Sequence, residues 1–192
     1  MSKKTLRKLI RQRDLPEDEE RLNSELYEGS DHTAVLLSVS QLQSALEGFV
    51  VDALAVKGEA EVEPLFEPGG LLASFHLVIQ QAYVLGLISK TEREDLDRIK
   101  SVRNVFAHAM RPVGFHMDII ADEAKKLPLT KEFTDEYPEC TPRERFVFCT
   151  LQLGTEFTKR SVRRTKSRIE WLNEQIRSLE VRNALALKEE DQ

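Results

Sequence analysis

The sequence predicts an all-α protein: a single helical bundle of about five main helices with a long C-terminal helix. Three observations predict it. Glycine and proline number only 8 and 7 in 192 residues, so the chain has few breaks. Apolar residues recur at three- and four-residue spacing through several segments, the period of a buried helix face. Good capping residues stand before those segments, and no run alternates apolar and polar residues as a half-buried strand does.

The first strong helix starts near Ser30 and Asp31 and runs to about Lys57, ending at Gly58. Val35, Leu36, Val39, Leu42, Leu46, Phe49, Val50 and Ala53 spread wide around its axis, which marks a central helix. The segment GEAEVEPLFEPGGLL holds Pro64, Pro68 and Gly69-Gly70 and reads as a loop. A second helix is expected from about Leu71 to Leu85. Phe75, Val78, Ile79, Ala82 and Tyr83 lie on its apolar face, and Gly86 closes it. Ser89 and Glu92 form a capping box for a third helix, Lys90 to about Met110, whose buried stripe is Leu96, Ile99, Val102 and Phe106. Residues 116–127 read as a fourth helix, and 128–141 as a loop with at most a short helix. Thr141-Pro142-Arg143-Glu144 then opens the long helix: a Thr cap, a Pro in the first turn and a Glu at the third position. It continues to at least Arg177 and as far as Leu187, interrupted at Gly154.

Three parts are expected: a charged arm at 1–29, the bundle domain at 30–187 and an acidic tail at 188–192. Residues 2–13 carry six basic residues and no acid, while 14–28 carry seven acids and one Arg. Leu6, Leu9 and Ile10 give the arm a thin apolar stripe, as in a solvated terminal helix. The two charged stretches can pair with each other or with a neighbouring subunit.

Bulk composition narrows the function. A formal net charge of -5 argues against a protein that coats nucleic acid, though not against a local basic site. Cys140 and Cys149 make neither a disulfide framework nor a zinc site, and His32, His76 and His116 form no metal-ligand pattern. The opening MSKKTLRKLIRQRD has no signal-peptide core, and no segment approaches the roughly 18 consecutive apolar residues of a membrane span. A cytoplasmic protein with reduced thiols, no cofactor, no metal and no membrane partner is expected.

Two clusters carry possible chemistry. The first is Arg103, Asn104 and His108 in RNVFAH. Asn104 and His108 share a helix face with Asp97 and Ser101, whereas Arg103 borders the apolar face and needs a partner there. Arg103 and His108 lie about 140° apart on a straight helix, so they act together only if the helix unwinds near His108 or a second subunit contributes. Histidine is the residue type best suited to general acid or base work at neutral pH, and that role is open to His108; as a structural group it would sit in a buried network. The second cluster is Lys159, Arg160, Arg163, Arg164, Lys166 and Arg168, a run without an acid. It suits nucleic acid, or it is a solvated face that pairs with acids elsewhere. A helix-turn-helix at Ala82–Gly86 fails on charge. The helix that would enter the groove reads TEREDLDRIK, and its carboxylates repel phosphate.

The run LFEPGGLLASFHLVIQQAYVLGLISKTEREDLDRIKSVRNVFAH, followed by GFHMDII, resembles the MtlR/MltR family, named for the mannitol operon repressor. The similarity covers about residues 30–160. Its diagnostic parts are the Phe75 helix, AYVLGLIS and the RNVFAH helix with Phe115 after it. The resemblance implies an all-helical homodimer that regulates transcription of a carbohydrate-uptake operon. The family has no evident DNA-binding domain, so the action expected is through another regulatory protein, with direct DNA or RNA contact left open. Arg103, four residues and then His108 also resemble the motif of HEPN-type helical domains, many of them metal-independent ribonucleases. In that likeness His108 handles the 2′-hydroxyl proton, Arg103 stabilises the phosphorane, Asn104 orients His108, and the pairs of two subunits meet at a dimer cleft.

Overall fold

Ser89 and Thr141 show how this sequence starts its helices. The backbone N–H of Ser89 donates to Glu92 Oε2 at 2.7 Å, and Glu92 N–H donates back to Ser89 Oγ at 3.2 Å. Thr141 and Glu144 repeat the exchange at 2.7 and 3.2 Å. Each box satisfies donors that no intrahelical bond reaches. The computed structural model describes residues 16–54 and 58–190, with side chains for 21–54, 58–177 and 179. The helix expected at 2–13 lies outside the described residues, as does the stretch 55–57.

The all-α expectation holds: among the described residues there are eight α-helices, one 3-10 turn and no strand. They are α1 (Pro16–Tyr27), α2 (Asp31–Ala53), α3 (Glu59–Val62), the 3-10 turn Glu63–Phe66, α4 (Phe75–Val84), α5 (Lys90–His108), α6 (Asp118–Lys125), α7 (Lys131–Glu136) and α8 (Pro142–Glu190). The acidic stretch after residue 14, read from the sequence only as a charged arm, holds α1. The expected loop at 58–72 contains α3 and the 3-10 turn. Helix α4 starts four residues later than expected, because Ser74 accepts a hydrogen bond from Leu77 N–H and caps it there. It ends as expected: Gly86 has φ 66°, and the Leu87 and Gly86 N–H groups donate to the carbonyls of Ala82 and Tyr83.

The chain groups into two compact units, residues 1–40 with 98–150 and residues 41–97 with 151–192. Helices α2, α5 and α8 each contribute residues to both. By length and composition α2 is apolar enough to cross a membrane. Its Ala34, Val35 and Val39 are buried in the first unit, and Leu42, Leu46 and Phe49 in the second, so one apolar stripe along it belongs to the protein core.

In the first unit an aromatic file forms the centre. Phe106, Phe115 and Phe146 follow one another with ring centroids 5.7 and 5.6 Å apart. Ile99, Val102, Ile120 and Leu127 pack into the same core. Burying Phe106 and Phe146 fully stabilises the unit by about 1.5–3 kcal/mol each. In the second unit Phe49 stacks on Phe157 at 6.1 Å, and Phe75, Val78, Ile79 and Ala82 of α4 are buried in the same unit. Tyr83, expected on the apolar face of α4, is exposed, and the Arg93 guanidinium lies over its ring at 4.7 Å. With Tyr83 outside, the buried stripe of α4 is Phe75, Val78, Ile79 and Ala82.

Candidate functional site

Helix α5 carries Arg103, Asn104 and His108 within the first unit. Its stripe is buried as expected, with Ile99, Val102 and Phe106 inside. The helix does not unwind before His108: it runs through that residue, and Ala109 N–H still donates to the Val105 carbonyl at 3.0 Å. The two polar side chains therefore keep the separation of a regular helix. Arg103 is half-buried and finds its partner one residue on, donating from Nη1 to Asn104 Oδ1 at 3.2 Å. Asn104 is engaged by Arg103 where the sequence reading had it orient His108. Asn104 and His108 are both exposed, so His108 is neither sealed in a core nor held in a buried network. Within one chain Arg103 and His108 make no convergent pair.

The polar network that secures this end of α5 lies elsewhere. Asp31, read from the sequence as a helix cap, leaves the capping to Ser30, whose Oγ accepts the Thr33 N–H at 3.1 Å. Asp31 Oδ2 instead accepts the N–H of Phe115 at 2.9 Å, and Oδ1 faces Arg143 Nη1 at 3.6 Å. Arg143 Nη2 donates to the carbonyls of Leu26 and Gly29 at 3.1 and 2.6 Å. This ties the end of α1, the start of α2, the loop after α5 and the start of α8 together. Gly114 leaves room in that loop: a Cβ there would stand 2.8 Å from Asp31 Oδ2 and 2.6 Å from His116 Nδ1, so one of those side chains would have to shift. Two further side chains of α8 act alike. Arg145 Nε and Nη2 both donate to the Leu127 carbonyl, at 2.8 and 2.6 Å, and the Cys149 thiol donates to the Pro128 carbonyl at 2.7 Å. Each supplies a donor to a carbonyl at or just past a helix end, where intrahelical partners run out. No sequence motif marked this set.

The basic run lies on α8 in the second unit. Lys159 pairs with Glu156 at 2.8 Å, and Arg160 Nη2 pairs with Glu92 Oε1 at 2.7 Å. Burial raises the Glu92 pKa, but hydrogen bonds from Arg160 and Ser89 outweigh it and hold the carboxyl below its ordinary value. Arg163, Arg164, Lys166 and Arg168 are exposed. Ser161 Oγ donates to the Asp52 carboxylate, which fastens α8 to the end of α2 in this unit. Beyond that tie every described side chain from 162 to 177, and Leu179, is exposed. At the corner between α4 and α5, Tyr83, Val84 and Leu85 present apolar surface, and Lys90, Arg93, Glu94 and Asp97 pair along the next helix. Among the described residues no group of three or more His, Cys, Asp or Glu side chains is placed to hold a metal ion.

Comparison with known proteins gives two findings. The sequence model of the mannitol repressor family, MtlR, matches residues 30–165. Among solved structures, the chain is similar to that described as the X-ray structure of the MtlR-HPr complex from Escherichia coli. The TM-score is 0.55 and the identity 20%, covering 73% of this chain and 98% of that one. At that identity the likeness is one of fold. No curated protein matches the sequence.

Proposed function

The chain belongs to the mannitol repressor family, MtlR, and from that membership we propose a repressor-type regulator of a carbohydrate-uptake operon that acts through protein association. The family match over residues 30–165 carries the reading. The α4–α5 corner supports it. Its second helix carries Glu94 and Asp97 where a groove-reading helix would need a neutral or basic face. The similar Escherichia coli protein was solved in a complex with HPr, and a partner of that kind is the one proposed here. The protein then works in the cytoplasm as a homodimer, without a cofactor.

A second reading concerns the basic run. Exposure of Arg163, Arg164, Lys166 and Arg168 on one stretch of α8 favours a local contact with nucleic acid, in addition to the protein partner.

One experiment with three arms tests these readings. Full-length protein is titrated calorimetrically with HPr from its own cell, tested for retardation of operator-length DNA, and incubated with mixed RNA in EDTA. Binding of HPr, no retardation and no RNA cleavage are expected of the leading reading. Retardation that disappears in Arg164→Glu/Arg168→Glu supports the second reading. Absence of HPr binding together with tight operator binding by the protein alone overturns the first. Cleavage by the wild type that is lost in His108→Ala would instead establish the ribonuclease role of Arg103, Asn104 and His108.

A further inference from the structure

Helix α8 continues as a helix to Glu190, well past the Asp52–Ser161 tie. A helix exposed on all sides has only its own backbone bonds and surface pairs to hold it, which is marginal in water. Such a helix is normally polar all round. This one is not. Val162, Ile169 and Ile176 stand seven residues apart, and Thr165, Leu172 and Leu179 interleave with them three residues on. The aliphatic members of this stripe are 64, 53, 43, 53 and 54% exposed at Val162, Ile169, Leu172, Ile176 and Leu179. In heptad terms the first set occupies position a and the second position d.

We propose that residues 162–179 of α8 form a parallel, in-register, two-stranded coiled coil with a second copy of this chain. Rest for this inference is the expectation of a homodimer; what it adds is the surface and the geometry. Four observations name a second copy as the occupant. The repeat is seven residues, the period that keeps one stripe facing a partner helix as two helices supercoil. Branched Val and Ile at a with Leu at d is the combination that selects two parallel strands. The positions flanking the stripe pair Ser161 with Lys166 and Arg168 with Asn173 across the two strands, so those flanks hold no like-charged pair. Finally, five aliphatic side chains from each copy, at about 60–120 Å² apiece, bury on the order of 1,000 Å², the size of a specific interface.

The stripe begins where the packed part of α8 ends. Phe157 and Gly154 are buried in the second unit, whereas Val162 is the first exposed member of the heptad series. The family match ends at residue 165, so nearly all of the zipper lies beyond it. The arrangement would bring the two exposed runs from Arg163 to Arg168 alongside one another, just ahead of the main aliphatic layers.

The test uses the full chain in a Cys140→Ser background and reads mass by sedimentation equilibrium, with 22.0 kDa for one copy. The expected result is twice that mass at micromolar concentration. Leu172→Glu/Ile176→Glu should weaken association at least 100-fold. Its unfolding transition for the packed units should be unchanged, because both side chains lie outside those cores. Ile169→Cys should cross-link to a covalent dimer under mild oxidation, since position a meets its own copy only when the strands are parallel and in register. A monomeric wild type would sink both this inference and the homodimer expectation. A dimer that persists in the Glu double variant sinks the coiled coil alone and leaves a homodimer built on another surface. A dimer lost in the double variant but not cross-linked through Ile169→Cys overturns the parallel arrangement.

Discussion

Arg143 closes two backbone carbonyls and an ion pair at once. Its guanidinium reaches Leu26 O, Gly29 O and Asp31 from the first turn of α8, and it is largely shielded from water. Charge-assisted hydrogen bonds of this kind contribute more than neutral ones. Arg143→Ala should lower the stability of the first unit by about 2–4 kcal/mol, because the two carbonyls lose this donor and Asp31 loses its ion pair. Arg143→Lys should recover only part of this, since an ammonium on a flexible stem cannot reproduce the planar fork. Urea unfolding followed by circular dichroism measures both; an unchanged midpoint in Arg143→Ala would remove the lock from the account. No local pattern announces this contact. Arg143 sat inside a helix-start signature and Asp31 beside another, and each satisfied a local expectation. The contact joins residues 114 apart in the chain, and nothing in local spacing reports that. RNVFAH drew attention for the opposite reason: its polar residues are close in sequence, yet the helix points His108 and Arg103 in different directions.

At the scale of elements, helix starts were more legible than helix presence. Two capping boxes and the Gly86 closure lie where the sequence puts them, because a cap is a contact between residues three or four apart. Helix α1 was not legible: an acidic run with Leu22 and Leu26 as its apolar members has little periodicity, and α1 is anchored by the burial of Leu26 and the distant Arg143. Gly154 was misread as an interruption. Helix α8 passes straight through it, and the glycine sits where α8 meets α2 in the second unit. A Cβ there would lie 3.5 Å from Leu42 Cα and 3.8 Å from Ala45 Cβ. Those are ordinary contact distances, so Gly154→Ala should be tolerated and gain up to about 1 kcal/mol from helix propensity. Gly154→Leu should lose about 1–3 kcal/mol by pressing on the α2 backbone. Thermal melting separates the two outcomes, and equal melting temperatures for both variants would show that the helices do not meet there as described.

For the molecule as a whole, pH gives the clearest prediction. Besides Glu92, Glu144 is held below its ordinary value by the backbone and hydroxyl of Thr141, and Glu123 by Lys126 and Arg98. A carboxyl whose folded pKa is depressed stabilises the fold above its unfolded value, here 4.5, and that contribution disappears as the pH falls through the folded value. Resistance to urea should therefore be flat from neutral pH down to about 5.5 and fall steeply below 4.5. Glu92→Gln should be less stable at neutral pH and show a shallower acid loss. A wild-type profile that stays flat to pH 3 would contradict the linkage.

The two units interleave along the chain: the first takes residues 1–40 and 98–150, the second 41–97 and 151–192. During synthesis this order has a cost in time. Leu26 and Gly29 emerge from the ribosome early, but the guanidinium that closes their carbonyls comes more than a hundred residues later. The same holds for Phe49, which must wait for Phe157. Neither unit can complete before the amino-terminal half of α8 has been made, so the nascent protein carries the open apolar faces of α2, α4 and α5 until nearly the whole bundle is translated. Association with chaperones should be longest just before α8 emerges and end soon after it, and chains truncated before residue 150 should be held or degraded rather than folded.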